Sequence, residues 1–198
     1  MKKIIKIYKL IDLPLNLKAE YGLHKIYYFY HTGSITKDIE IIVDNENSKI
    51  ELKGAVFGKN HDQIVINTVT KHLVGINKAR VTIKTVLTDF CTFDFTGMIE
   101  IEKKAQKCDS FLQQDNLVVS DNVICNTSPQ LEIKADDVKA SHGATVGNFD
   151  QNQLFYLQSR GLSLDDSQKL ISEGFLASVF DKSFPKVMKT FNLSSLIS

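Results

Sequence analysis

What most constrains the fold of this chain is a succession of short runs, rich in β-branched and aromatic residues and spaced by polar clusters, over its first three quarters. Residues 25–30 (KIYYFY), 38–43 (DIEIIV), 49–53 (KIELK), 63–67 (QIVIN) and 79–84 (ARVTIK) are of this kind. Several alternate apolar and polar residues, the period of a strand with one buried face. Residues 44–48 (DNENS) and 58–62 (GKNHD) are turn-like clusters between them. Proline, which removes a ladder donor, occurs only at Pro14, Pro129 and Pro185. Many short strands without intervening helices predict an all-β body.

The spacing narrows which β body is in question. The apolar-x-apolar pairs Ile99/Ile101, Leu117/Val119 and Leu131/Ile133 follow one another at short, unequal intervals, and Val123 and Val138 are separated by a similar one. Each interval is about one supersecondary unit, which fits the coils of a β-helix. A β-sandwich accommodates the same alternation, so spacing alone leaves both open. Cys91, Cys108 and Cys125 are evenly placed, a spacing compatible with stacking on successive coils. Cys91 and Cys125 also alternate in phase with Phe93, Phe95 and Val123, as small apolar core residues do.

At about Asp150 the period changes to that of a helix. Asp150 is placed to cap a helix through Arg160, and Gly161 to end it in the left-handed conformation that glycine tolerates. Ser163 and Asp166 form the Ser-x-x-acid pattern of a capping box. Ile171, Phe175 and Val179, with Leu176 and Phe180 beside them, make one apolar stripe. A third, shorter helix is expected near Pro185, carrying Val187, Met188 and Phe191. The division predicted is a β body over residues 1–148 and a small helical appendage over residues 149–198.

Composition then excludes several classes. With 198 residues, 43% hydrophobic and 24% charged, the chain matches one soluble globular domain. Its formal net charge of +1 gives no global field to attract nucleic acid or an anionic membrane. Lys6 and Lys9 interrupt the apolar start, so no secretory signal is read there, and no window approaches the ~20 apolar residues of a membrane span. Three cysteines without a C-x-x-C do not make a disulfide framework. A reduced, cytoplasmic protein is expected. The sequence carries no G-x-x-x-x-G-K-[ST] phosphate loop, no H-E-x-x-H, no G-x-S-x-G and no dinucleotide-binding glycine pattern, so no catalytic residue is assigned.

One segment stands apart. Residues 129–147 (PQLEIKADDVKASHGATVG) are followed closely by 153–161 (QLFYLQSRG). This combination resembles the SufB/SufD family, β-helical scaffolds of the SUF iron-sulfur cluster assembly system, and the likeness leans to SufD. Residues 70–72 (TKH), 95–97 (FTG), 116–121 (NLVVSD) and 126–133 (NTSPQLEI) fall in the family's order, so that residues 50–182 are covered.

The resemblance implies a right-handed parallel β-helix ending in helices, pairing with a SufB-like subunit or with itself through the β-helix and docking a SufC-like ATPase through the terminal helices. Iron or an iron-sulfur cluster would be held transiently at a subunit interface. The motif residues carried over are Ser141, His142, Gly143, Ala144, Thr145 and Gly147, with His142 the candidate metal or cluster ligand. Gly143 stands where SufB typically has glutamate, which favours a SufD-like role. Phe155, Tyr156, Arg160 and Gly161 are the candidate partner-binding residues. Leu154 to Leu157 are four consecutive apolar residues that one helix face cannot bury together, so part of the set is expected outside and Leu154 and Leu157 over the open end of the β-helix. His24, His31, His61 and His72 are expected at the surface or in turns, His72 keeping some interest from its family position. Ala140 stands where many SufD sequences have cysteine, and an alanine supplies no ligand. The chain is also short for the family. A self-associating β-helix without a cluster is the alternative reading, and a carbohydrate-acting β-helical enzyme a more distant one.

Overall fold

The computed structural model describes residues 1–180. The third helix expected near Pro185 lies outside the described residues. Eleven strands precede two helices there: β1 (Lys2–Lys9), β2 (Asn16–Lys18), β3 (Leu23–Thr32), β4 (Ile35–Val43), β5 (Lys49–Gly58), β6 (Gln63–His72), β7 (Lys78–Leu87), β8 (Thr92–Ile101), β9 (Asp109–Val118), β10 (Ile124–Ile133), β11 (Lys139–Gly147), α1 (Gln151–Ser159) and α2 (Leu164–Ala177). All of the runs read as strands from sequence lie inside these elements.

Odd-numbered strands form one sheet in the order β1-β3-β5-β7-β9-β11, and even-numbered strands a second in the order β10-β8-β6-β4-β2, every pairing parallel. Consecutive strands thus alternate between two sheets, and the molecule is a parallel β-helix rather than a sandwich of antiparallel hairpins. The register joins Lys49 to Lys78, Lys78 to Asp109 and Asp109 to Lys139. One full coil therefore takes about 30 residues, as a two-strand repeat unit requires. The shorter intervals seen in the sequence are half coils, steps from one sheet to the other. Accordingly Ile99 and Ile101 belong to the core inside the coils, while Leu117 belongs to a second core outside them. The three cysteines do not form one stack: Cys91, just before β8, and Cys125, in β10, lie on adjacent coils of one sheet, while Cys108 precedes β9 in the other.

Inside the coils, Tyr27, Phe29, Leu52, Val56, Ile66, Val81, Phe93, Phe95, Ile99 and Leu112 form a continuous apolar core. A Cβ at Gly54 would overlap the Phe29 ring, so Gly54 leaves the slot that Phe29 fills. A short 3-10 turn (Leu10–Asp12) and β2 bring Leu10, Leu13 and Leu17, each 0–1% exposed, into the first coil. At one corner a stack of left-handed residues, Gly22, Asn47, Ile76 and Lys107, turns each coil from the even sheet to the odd. Their amides link the coils: Gly22 donates to the Asn47 carbonyl (3.1 Å), Asn47 to that of Ile76 (2.8 Å) and Ile76 to that of Gln106 (3.0 Å). Ile76, at φ 53°, is the costly member, because a β-branched side chain crowds the backbone in that region.

The helices form where the sequence signals stand. The Asp150 carboxylate accepts from the Asn152 amide (2.9 Å), the Ser163 hydroxyl accepts from that of Asp166 (3.0 Å), and Gly161 adopts φ 95°. Leu154, Leu176, Val179 and Phe180 pack on Ile26, Tyr28, Ala55, Phe57, Val86 and Leu117. Those partners lie on the outer face of the odd sheet, so the helices flank the β-helix. They do not close its open end as the sequence led one to expect, because strands β3 to β9 offer a broad apolar flank in phase opposite to the inner core. No helix among the described residues is long and apolar enough to cross a membrane.

Candidate functional site

The motif histidine sits on β11, the last strand of its sheet. Register sets its direction: His142 pairs with Leu112, Ala140 with Ser110, Ala144 with Gln114 and Val146 with Asn116. Leu112 faces the inner core, so by strand alternation these four residues occupy inward-facing positions. Ser141, Gly143 and Thr145 face outward. Thr145 donates its hydroxyl to Asp115 (2.8 Å), which also accepts from Gln113 (2.5 Å). A Cβ at Gly143 would stand 2.6 Å from the Gln113 amide oxygen, so the missing side chain makes room for this pair.

Among the described residues β11 has no strand beyond it, and neither has β10. Inward positions that would be core in an earlier coil are therefore open. On β10, Leu131 and Ile133 pair with the buried Ile99 and Ile101, yet are 37% and 42% exposed. On β11, Val146 is 53% exposed, and Ser141, His142, Ala144, Thr145 and Gly147 are all open to solvent to some degree. The end of the β-helix is thus an apolar mouth with one imidazole on its rim. Pro129 removes a backbone donor from β10; β11 contains no proline and offers a full edge for pairing.

The site supplies few ligands. Among the described residues no group of three or more His, Cys, Asp or Glu side chains is arranged to hold a metal ion. Burial pushes each of the three thiols up to about 11, so at neutral pH they stay protonated and make poor ligands or nucleophiles. Cys91 and Cys108 are buried and Cys125 half-buried, all against the inner core, as the alternation suggested. His142 alone cannot enclose a cluster; the other ligands would have to come from across an interface.

The second candidate surface is helical. Phe155 and Tyr156 are 74% and 57% exposed while Leu154 is buried, so the consecutive apolar residues divide between core and solvent. The Arg160 guanidinium lies 5.3 Å from the centroid of the Tyr156 ring, a cation–π contact at the helix end, next to the Gly161 turn. Beside them Asn152, Gln153, Tyr156, Leu157 and Ile171 line a cavity of about 400 Å³ between α1 and α2. His72, expected at the surface, is fully buried because its position on β6 faces inward in a covered coil. Sequence reasoning missed it; its place at the end of a strict alternation, Ile64, Ile66, Thr68, Thr70, His72, was the available signal.

Residues 14–175 match the family model described as SUF system FeS cluster assembly, SufBD core domain, a longer stretch than the sequence motifs marked. The chain is similar to the iron-sulfur cluster assembly protein SufD of Escherichia coli, 36% identical over 135 residues, 68% of this chain and 32% of that protein. It is 30% identical to the SufD of Bacillus subtilis over 132 residues, 67% of this chain and 30% of that protein. With a SufBD family protein of Synechocystis it shares 29% identity over 175 residues, 88% of this chain and 35% of that protein. The chain therefore spans about a third of the length of the curated relatives it matches.

Proposed function

The chain belongs to the SufBD core family of the SUF iron-sulfur cluster assembly system, and from that premise we propose that it works as a non-catalytic, cytoplasmic SufD-like scaffold subunit. It presents two surfaces for two partners. The outer faces of α1 and α2, with Phe155, Tyr156, Arg160 and the Gly161 turn, dock a SufC-like ATPase. The open end at β10 and β11 meets a SufB-like subunit or a second copy of this chain. Iron or a nascent cluster is cargo, held transiently where the two β-helices meet.

One observation carries this reading: His142 occupies an inward-facing position yet is exposed, on the rim of a mouth formed by Leu131, Ile133 and Val146. A partner that covers the mouth turns those side chains into core, at on the order of 1 kcal/mol each for the area they still expose. The same covering removes water from around His142. A neutral imidazole is a suitable iron ligand and can replace thiolate on a cluster, and a drier setting strengthens its interaction with a metal's charge. His142 supplies one ligand and the facing subunit the rest. ATP hydrolysis belongs to the SufC-like partner, consistent with a sequence here that lacks a phosphate loop. Docking at α1 and α2 bears on the mouth through residues 147–150, because Val146, Gly147, Asp150 and Gln153 line one cavity of about 270 Å³.

The test is co-expression with SufB-like and SufC-like proteins, anaerobic purification, and iron and sulfide analysis. The wild type is expected to give a complex that carries iron. His142→Ala should leave the complex assembled and lower its iron, and unchanged iron would remove the ligand role. Leu131→Lys with Ile133→Lys should release the SufB-like subunit while Tyr156→Ala with Arg160→Ala releases the ATPase. A second reading keeps the interface without the cargo: Ala140, inward on β11 next to His142, adds no ligand. An assembled complex or homodimer free of iron under anaerobic conditions would establish that reading instead.

A further inference from the structure

A different part of the coil interior carries four buried side-chain polar atoms without hydrogen-bond partners, on Thr68, Thr70, His72 and Ser110. His72 closes β6 with its side chain fully buried. Its Nδ1 lies 2.7 Å from Asn77 Oδ1, while Asn77 Nδ2 donates to the carbonyls of Val74 (2.7 Å) and Gly75 (3.1 Å). Those two bonds use the amide nitrogen and leave the amide oxygen facing the ring. Nδ1 therefore carries the proton and donates, and Nε2 keeps a bare lone pair. Burial lowers the His72 pKa, so the ring is neutral at pH 7. Yet Nε2 has no partner.

Three hydroxyls on adjoining inner walls share this condition, those of Thr68 and Thr70 on β6 and of Ser110 on β9, of which Thr70 and Ser110 stand toward the corner. Thr70 Oγ1 belongs to the same face of β6, one inward position earlier. Ser110 Oγ lies on β9, whose register sets Ser110 beside Ala79, the first inward residue of β7. Small buried side chains stand near the strand ends at this corner: Ala79 in β7, and Ala105 and Cys108 between β8 and β9, each 0–1% exposed and part of the inner core. A buried acceptor left without a donor is costly, and native proteins almost always supply one, if need be with an ordered water that makes about three hydrogen bonds.

We infer that this corner is a buried hydration site: one ordered water donates to His72 Nε2, accepts from Ser110 Oγ and has Thr70 Oγ1 as its third partner. The ring's tautomer is also that of a metal-bound histidine, whose other nitrogen is held by a second-shell acceptor. The donor set favours water over a metal. Neighbouring Cys108 is a protonated thiol, and no group of three ligating side chains exists among the described residues.

Nuclear magnetic resonance of the full chain, labelled with 15N, tests this at neutral pH. The expected result is Nδ1 protonated, Nε2 bare, and cross-relaxation from the His72 ring protons to a long-lived water. A protonated Nε2, or ring protons without any water contact, overturns the site. So does a shift of the His72 signals on adding Co²⁺ alone, which would identify a metal site. Ser110→Ala should abolish the water contact and lower the melting temperature by about 2–4 °C, the scale of one lost buried hydrogen bond in a chain of this size. In a dry corner the same change would remove an unsatisfied hydroxyl and raise the melting temperature, which also overturns the inference. Should Ser110→Ala fail to fold, Thr70→Val reads the same signs from the opposite wall.

Discussion

The two ends of the β-helix are built from the same alternation and finished in opposite ways. At the first end the 3-10 turn and β2 fold Leu10, Leu13 and Leu17 into the coil, and all three are 0–1% exposed. Charged Lys2, Lys3, Lys6 and Lys9 along β1 make that edge a poor template for another strand. At the last end Leu131, Ile133 and Val146 hold the equivalent inward positions and remain 37–53% exposed. The edge beside them, residues 140–147, bears no Lys, Arg, Asp or Glu. The first end covers its inward leucines and carries lysines along β1, although Ile11 and Leu15 beside them are 64% and 58% exposed; the last end leaves its inward positions open, so the two ends present different surfaces.

Four experiments test this contrast. The largest effect is expected from Phe29→Ala, which empties the slot left by Gly54 inside a covered coil and should cost about 3–5 kcal/mol in urea unfolding. If that truncation were as mild as one at the mouth, covered and open coils would not differ in packing.

Acid should act next, through the covered coils. Burial lowers the pKa values of His24, His31 and His72 below 6.5, that of His72 against a hydrogen bond to Asn77 that favours the charged form. Their folded-state values lie below the unfolded one, so the unfolded chain binds protons first. Stability is full above about pH 6.5 and declines as pH falls below it. Burial would raise the Glu51 pKa, but the Lys49 hydrogen bond and the Lys53 charge outweigh it and hold Glu51 at about 2, so its charge persists through this window. Denaturant midpoints between about pH 7.5 and 5.5 should fall, and His72→Leu should flatten the slope. A slope unchanged by that substitution would take His72 out of the account.

Ile76→Gly relieves a β-branched residue at φ 53° and should stabilise the chain by about 1 kcal/mol, since Ile76 is also 49% exposed and gives up little packing. A loss of stability would mean that its contacts at the corner outweigh the backbone strain. The smallest effect on folding belongs to the mouth: Leu131→Ala should cost about 1 kcal/mol or less in the isolated chain. Its consequence should show in association, as weaker self-assembly or partner binding by sedimentation. A large folding cost with unaltered association would reverse the comparison.

Much of this was legible beforehand in particular residues. Asp150, Gly161 and Ser163 marked the helix boundaries because caps depend on side chains close in sequence to the bonds they satisfy. The β runs read correctly for the same reason: an alternation of period two is local. The motif at residues 141–147 drew attention by resemblance, and its strand position followed. The parallel β-helix that the resemblance implied is found, but two finer readings that needed to know which strand lies beside which misled. The short intervals between apolar pairs looked like whole coils because sequence does not distinguish one strand per repeat from two. Leu154 was expected over the open end, since nothing local says that Ile26, Tyr28 and Phe57 make a second apolar face outside the coils.

His72 and His142 make the division plain. Alternation along β6 and β11 by itself sets both side chains on the inward phase of their strands, because successive residues of a strand point to opposite faces. Tertiary structure alone decides that the first is sealed within the coil and the second stands open at its rim. Burial depends on a neighbouring strand a full coil away in sequence, and for β11 the described residues provide none on its outer side.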